Sequence, residues 1–129
     1  MRRIVVDTNV LIYYLFKDQK FHEKARATLN RAAEWIIPVI VVHELIWFLR
    51  GAGISDKEAV SAVAKVLSDK RANLICPSPE SLIEGTLNGI NSWEDDVILL
   101  ISEDYKAPLV TFDEELRVKA LRRGIEVLP

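Results

Sequence analysis

A chain of 129 residues, half of them apolar and none in low-complexity stretches, is long enough for one domain with a real core. Its 17 Lys and Arg against 19 Asp and Glu give a net charge of −2, which excludes a binder that holds nucleic acid by bulk positive charge alone. The single cysteine, Cys76, excludes an internal disulfide and fits a reducing cytoplasm.

In chain order, Ile4-Val5-Val6 runs straight into Asp7-Thr8-Asn9. Three apolar residues followed by an acid, a hydroxyl and an amide predict a buried parallel strand that delivers a carboxylate to the end of a sheet. The apolar run is also too short for a signal peptide, so a cytoplasmic location is expected. Residues Asn9 to Phe16 predict a short helix, with a polar break at Lys17 to Lys20. A second helix is expected over Phe21 to Ala33, where Phe21, Ala25, Leu29 and Ala32 keep a helical period and His22 lies at the surface.

Trp35-Ile36-Ile37 predicts strand two. Pro38 suits the first position of a helix from Val39 to Arg50 that ends at Gly51. That helix is apolar almost all round, which predicts burial on more than one side, with Trp47 and Phe48 serving the core or a dimer contact. The region from Trp35 to Leu49 is too short for a membrane span and contains His43 and Glu44, so no membrane association is expected.

Ser55-Asp56-Lys57-Glu58 reads as a capping box before a helix to about Ser68. Asn73 to Cys76 predicts strand three, with Cys76 packing as a small hydrophobe. Ser78-Pro79 opens a helix carrying Leu82, Ile83, Leu87 and Ile90. Ser92 is expected to cap a helix from Trp93 to Asp104, which Pro108 stops. Leu109-Val110-Thr111 predicts strand four, leading to Asp113. A last helix, Glu114 to Arg123, closes at Gly124, and Ile125 to Leu128 predicts strand five. Strands alternating with helices make an α/β domain with parallel pairing and right-handed crossovers, spanning residues 1–129.

Four acids stand in comparable places. Asp7 and Asp113 each follow a strand, where open α/β sheets bind ligands. Glu44 interrupts an apolar helix, which is costly unless the charge is compensated. Asp95 sits in the first turn of a helix, whose positive end favours an anion. Clustered carboxylates repel: at ~4 Å and an effective dielectric near 20, each pair costs about 4 kcal/mol. A proton or a cation must relieve that cost. An all-oxygen set without a His or Cys cluster favours Mg²⁺, or Mn²⁺, over zinc. Such ions activate water and stabilise charge building on a phosphate. With the four acids set aside, 15 acidic residues remain against 17 basic ones, so RNA is an admissible substrate. The plainer readings are helix caps for Asp7 and Asp113, the acidic end of a capping box for Asp95, and a pairing with Arg50 or His43 for Glu44.

Together these residues resemble the PIN-domain ribonuclease family, in particular its small VapC-type toxins. The resemblance lies in Val6-Asp7-Thr8-Asn9-Val10-Leu11, in Val42-His43-Glu44-Leu45, in Trp93-Glu94-Asp95-Asp96-Val97-Ile98 and in Leu109-Val110-Thr111-Phe112-Asp113, and it covers essentially the whole chain. It implies a three-layer α/β/α sandwich around a five-stranded parallel sheet ordered 3-2-1-4-5. It implies that Asp7, Glu44, Asp95 and Asp113 are the catalytic, metal-binding quartet, supported by Thr8, Asn9 and Thr111. The activity implied is a Mg²⁺-dependent endoribonuclease, the toxin of a type II toxin–antitoxin pair, forming a homodimer and held inactive by a cognate antitoxin. Asp96 stands where the family usually carries a small residue, and the register of the following apolar helix selects Asp95 over Asp96. Val39 to Val42 lack the hydroxyl often found before the glutamate.

Two competing readings remain. One is a catalytically inactive protein of the same fold that binds RNA or protein. The other is a phosphatase forming an aspartyl-phosphate on Asp7. The latter needs an acid two residues on, where Asn9 stands. Lys17, Lys20, Arg50, Lys106 and Arg117 are candidate phosphate contacts. Tyr13 and Tyr14 are expected in the core rather than under a base, and His43 points about 100° away from Glu44.

Overall fold

A computed structural model describes residues 2–129. The central strand is β1 (Arg3–Val6), with Ile4, Val5 and Val6 almost wholly buried. It pairs in parallel with β2 (Glu34–Pro38) on one side and β4 (Leu109–Val110) on the other. The edges are β3 (Ala72–Ile75) and β5 (Val127–Leu128), so the order is β3-β2-β1-β4-β5. Val5 faces Ile36 and Leu109 in register, and Asp7 N–H continues the ladder by donating to the Val110 carbonyl at 3.1 Å. Strands buried on both faces read as unbroken apolar runs, which is why β1, β2 and β4 are so hydrophobic.

Among the described residues, seven α-helices cover the faces: α1 (Thr8–Leu15), α2 (His22–Arg31), α3 (Val39–Arg50), α4 (Asp56–Leu67), α5 (Pro79–Gly85), α6 (Trp93–Tyr105) and α7 (Glu114–Arg122). The result is the expected parallel sheet between helical layers, in the expected order. Trp35, fully buried on β2, anchors one face. Its indole N–H donates to the Leu29 carbonyl at 2.9 Å, Tyr14 meets it edge-on, and the Arg71 guanidinium lies 4.4 Å from its ring. Each such large side chain contributes roughly 1.5–3 kcal/mol by leaving water. Among the described residues, no helix is long and apolar enough to cross a membrane.

Several local expectations are corrected. Strand five begins at Val127, because Ile125 N–H turns back to the Ala120 carbonyl and closes α7 with Gly124 at φ 75°. That is a Schellman closure, which uses glycine for its left-handed residue. Helix α6 ends in the same way before Pro108 is reached, with Lys106 in the left-handed position at φ 50° and Ala107 N–H on the Ser102 carbonyl. Helix α5 stops at Gly85, and Ile90–Ser92 forms a separate 3₁₀ turn, leaving Leu87 and Ile90 in solvent. Ser92 makes no cap bond, and its hydroxyl donates to Asp96 Oδ2 instead. Strand β3 is a half-exposed edge, so Cys76 behind it is exposed rather than packed. His22 is largely buried, its Nδ1 2.7 Å from the Tyr13 carbonyl. Helix α3 is not covered all round: Ile40, Val41, Val42, Leu45 and Leu49 are buried, whereas Ile46, Trp47 and Phe48 face solvent.

Candidate active site

The carboxyl ends of β1 and β4 lie side by side, and each strand hands its chain to a helix through an aspartate. Asp7 caps α1, accepting from Thr8 N–H at 2.8 Å, and Asp113 caps α7, accepting from Leu116 N–H at 3.2 Å. Capping and clustering therefore coexist. The cap fixes each carboxylate at the mouth of the sheet crevice, because an N-cap side chain must turn back over its own helix start.

Two threonines connect three of the acids. The Thr111 hydroxyl donates to Asp7 Oδ2 at 2.7 Å and accepts from Asp113 N–H at 3.1 Å. Thr8, whose amide holds Asp7, donates its hydroxyl to Glu44 Oε1 at 2.8 Å. Asn9 Oδ1 accepts from Phe112 N–H at 3.3 Å and so joins the two strand ends. Glu44 enters from α3, pairing with neither Arg50 nor His43 among the described residues. Asp95 enters from α6, with Lys119 Nζ of α7 3.6 Å from its Oδ2. The neighbouring Asp96 is buried and bonded to Ser92. The structure therefore gathers Asp7, Glu44, Asp95 and Asp113 at one end of the sheet, within electrostatic reach of one another, with Thr8, Asn9 and Thr111 among them.

The electrostatics follow. Burial pushes the Asp7 carboxyl above its ordinary pKa; the Thr111 and Thr8 hydrogen bonds oppose the rise, and the charges of Asp95 and Asp113 add to it. Partial desolvation raises Glu44 too, although solvent still reaches its side chain; its Thr8 bond opposes the rise and Asp7, Glu94 and Asp95 add to it. Burial raises Asp95, offset by Lys119 and reinforced by Asp113 and Asp96. Each of the three thus senses at least two other acids. Lys119 and Glu94 escaped the sequence reading. Lys119 sits late in α7 without any pattern to mark it, and Glu94 reads as an ordinary first-turn acid.

The four side chains offer only hard oxygen donors, a set whose chemistry suits a divalent cation such as Mg²⁺ or Mn²⁺ and lacks the nitrogen and sulfur that zinc prefers. Among the described residues, no three such side chains close on a single point. Their oxygens are instead held by Thr8, Thr111, Lys119 and the start of α7, the arrangement expected of mutually repelling charges.

A family model described as PIN domain matches residues 4–121. No curated protein matches the chain in sequence. Among solved structures, VapC20 of Mycobacterium tuberculosis, described as a sarcin-ricin loop cleaving toxin, is 16% identical with a TM-score of 0.77, over 98% of this chain and 99% of its own. VapBC2 from Rickettsia felis, crystallised with a DNA fragment from its promoter, is 18% identical with a TM-score of 0.67, over 97% and 96%. FitAcB from Neisseria gonorrhoeae is 18% identical with a TM-score of 0.64, over 98% and 96%. At such identities the likeness is one of fold.

Proposed function

This chain belongs to the PIN domain family, and on that premise we propose that it is a Mg²⁺-dependent endoribonuclease, a single nuclease domain acting as the toxin of a toxin–antitoxin pair. The observation that carries this reading is the convergence of Asp7, Glu44, Asp95 and Asp113 from four separate elements, three of them tied by Thr8 and Thr111 and Asp95 paired with Lys119. A divalent ion, when bound there, supplies Lewis-acid stabilisation of the phosphate and eases deprotonation of water. Asp7, Glu44, Asp95 and Asp113 would hold it. Thr111 and Thr8 orient the carboxylates and keep them from splaying apart. Lys119 neutralises part of the Asp95 charge, and one carboxylate accepts the proton released by the attacking water.

Beyond Asp113, Lys24, Arg31 and Arg117 line a cavity of about 350 Å³ together with Phe112 and a single carboxylate, Glu114, which the three cations outnumber. It suits the phosphates of an RNA strand leaving the site. Arg117 is held there by the carbonyls of Thr111 and Pro129. Lys106 lies instead on a cavity lined by residues from the opposite, amino ends of the strands, and Arg50 borders the α3–α4 groove; both are dropped as substrate contacts. That groove, lined by Ile46, Leu49, Val60, Val63 and Leu67, is the surface we assign to protein partners. It suits a second copy or a cognate antitoxin, partners consistent with the toxin–antitoxin names VapBC2 and FitAcB. We place the protein in the cytoplasm, where RNA is available and Cys76 stays reduced.

Incubating a mixed RNA pool with the protein, in magnesium and in EDTA, and mapping the ends tests the reading. Internal cuts that need magnesium and vanish in Asp7→Asn are expected. A binding module of the same fold without catalysis is the second reading, favoured by the open spacing of the acids. RNA left intact in magnesium would establish it over the first, and RNA cut equally by Asp7→Asn would contradict the role given to the acids.

A further inference from the structure

One cavity shares a residue with the acid cluster. It measures about 570 Å³ and is lined by Ile40, His43, Glu44 and Trp47 of α3 with Trp93 and Glu94 of α6. That volume lies within the range of small-molecule sites and accommodates a nucleotide. Trp47 is 75% exposed in this setting. A lone exposed indole is unremarkable, but this one stands one helical turn from Glu44, on the same cavity wall. Trp93 is fixed in the opposite wall: its indole N–H donates to the Leu82 carbonyl at 3.2 Å. Gly85 admits that packing, since a Cβ there would lie 2.7 Å from Val97 Cγ2 and 3.4 Å from Trp93 Cδ1.

We propose that this cleft is a nucleobase subsite, in which an unpaired base beside the scissile phosphate stacks on Trp47 while Glu94 accepts hydrogen bonds from its edge. The proposal rests on the nuclease reading above for the position of the phosphate. Two carboxylates in the wall reject a phosphate or an acidic peptide from the cleft itself. A flat, uncharged ring with N–H donors meets no such penalty. Every base has a π face, so stacking supplies affinity without sequence readout. An ionised carboxylate at the rim can only accept hydrogen bonds, and guanine offers N1–H and N2–H donors side by side. Guanine is therefore preferred over uracil.

The test reads binding without turnover. GMP, UMP and ribose 5-phosphate are titrated in magnesium against the intact protein, following indole fluorescence and, in parallel, calorimetry. Quenching by GMP is expected, with ribose 5-phosphate inert and UMP weaker. Trp47→Ala weakens GMP binding roughly 5- to 150-fold, the range of one base–aromatic stack, and Trp47→Phe keeps most of it. Glu94→Gln removes the preference for GMP over UMP. Equal binding of ribose 5-phosphate and GMP, or unchanged GMP binding in Trp47→Ala, overturns the subsite. So does a lower sedimentation mass for Trp47→Ala, which makes Trp47 an interface residue. Tighter quenching by N-acetylarginine amide than by any nucleotide assigns the cleft to a cationic side chain of a protein partner. GMP binding that survives in a protein unable to cut RNA sinks the nuclease reading alone, whereas a magnesium-dependent nuclease indifferent to Trp47 sinks the subsite alone.

Discussion

Thr111 is wholly buried, and its one hydroxyl serves Asp7 and the Asp113 amide together. Thr111→Val keeps the shape and removes both bonds. Leaving buried polar groups unpaired costs roughly 1–3 kcal/mol, so chemical denaturation should show a loss of that order. Because the two acids also lose their common tie, RNA cleavage should fall by about 10–100-fold, the usual effect of removing a group that orients a metal ligand. A valine variant as active as the parent would separate Thr111 from the site. The acids themselves predict a pH dependence. Asp7, Glu44 and Asp95 bind protons more tightly in the fold than in the unfolded chain. Between the ordinary carboxylate value near 4 and their raised values, the folded protein therefore holds more protons, and stability falls as pH rises through that window. Asp69 has the opposite sign: Arg71 holds it at about 2, so its contribution is present above the ordinary value and is lost as pH falls towards 2. The melting temperature should rise as the pH is lowered from neutrality towards the ordinary carboxylate value near 4, and fall again towards pH 2 as Asp69 is protonated. Asp7→Asn should flatten the first limb; melting curves across pH, without divalent ions, measure it.

At the scale of elements, helix ends carry much of the specification. Lys106 occupies a left-handed position that costs a non-glycine residue roughly 1 kcal/mol. Lys106→Gly should therefore stabilise the protein by about 0.5–1 kcal/mol, read as a higher denaturation midpoint at unchanged slope. Gly85→Ala should do the reverse, by about 1–3 kcal/mol, because its methyl would press α5 off α6 at Val97. What could be read in advance divides along physical lines. The step from Val6 to Asp7 and from Val110 towards Asp113 was legible, because an apolar strand ending in an acid has few other uses. The Ser55 cap held, its hydroxyl accepting from Glu58 N–H, since such a bond needs only neighbours in sequence. Ser92 failed as a cap because a preceding 3₁₀ turn, invisible to local pattern, set its backbone. The outward Trp47 and Phe48 were illegible for another reason: an apolar helix states that something must cover it, but not whether this chain does so. Lys119 and Glu94 took their places only when α6 and α7 met.

For the whole molecule, the sheet brings residues 7, 44, 95 and 113 together although about a hundred positions separate the first from the last. Burial raises the proton affinities of Asp7, Glu44 and Asp95, and the charges of the neighbouring acids add to the rise. A cation that relieves their repulsion should also stabilise the fold: at ten times its dissociation constant, Mg²⁺ should add about 1.4 kcal/mol. Calorimetric titration of Mn²⁺ into the parent, Glu44→Gln and Asp113→Asn proteins tests this convergence most directly. A saturable isotherm is expected for the parent, weakened at least about tenfold, or 1.4 kcal/mol, by either substitution although they lie on different elements. Parent-like binding in both variants would contradict it, because the two carboxylates would then not share an ion.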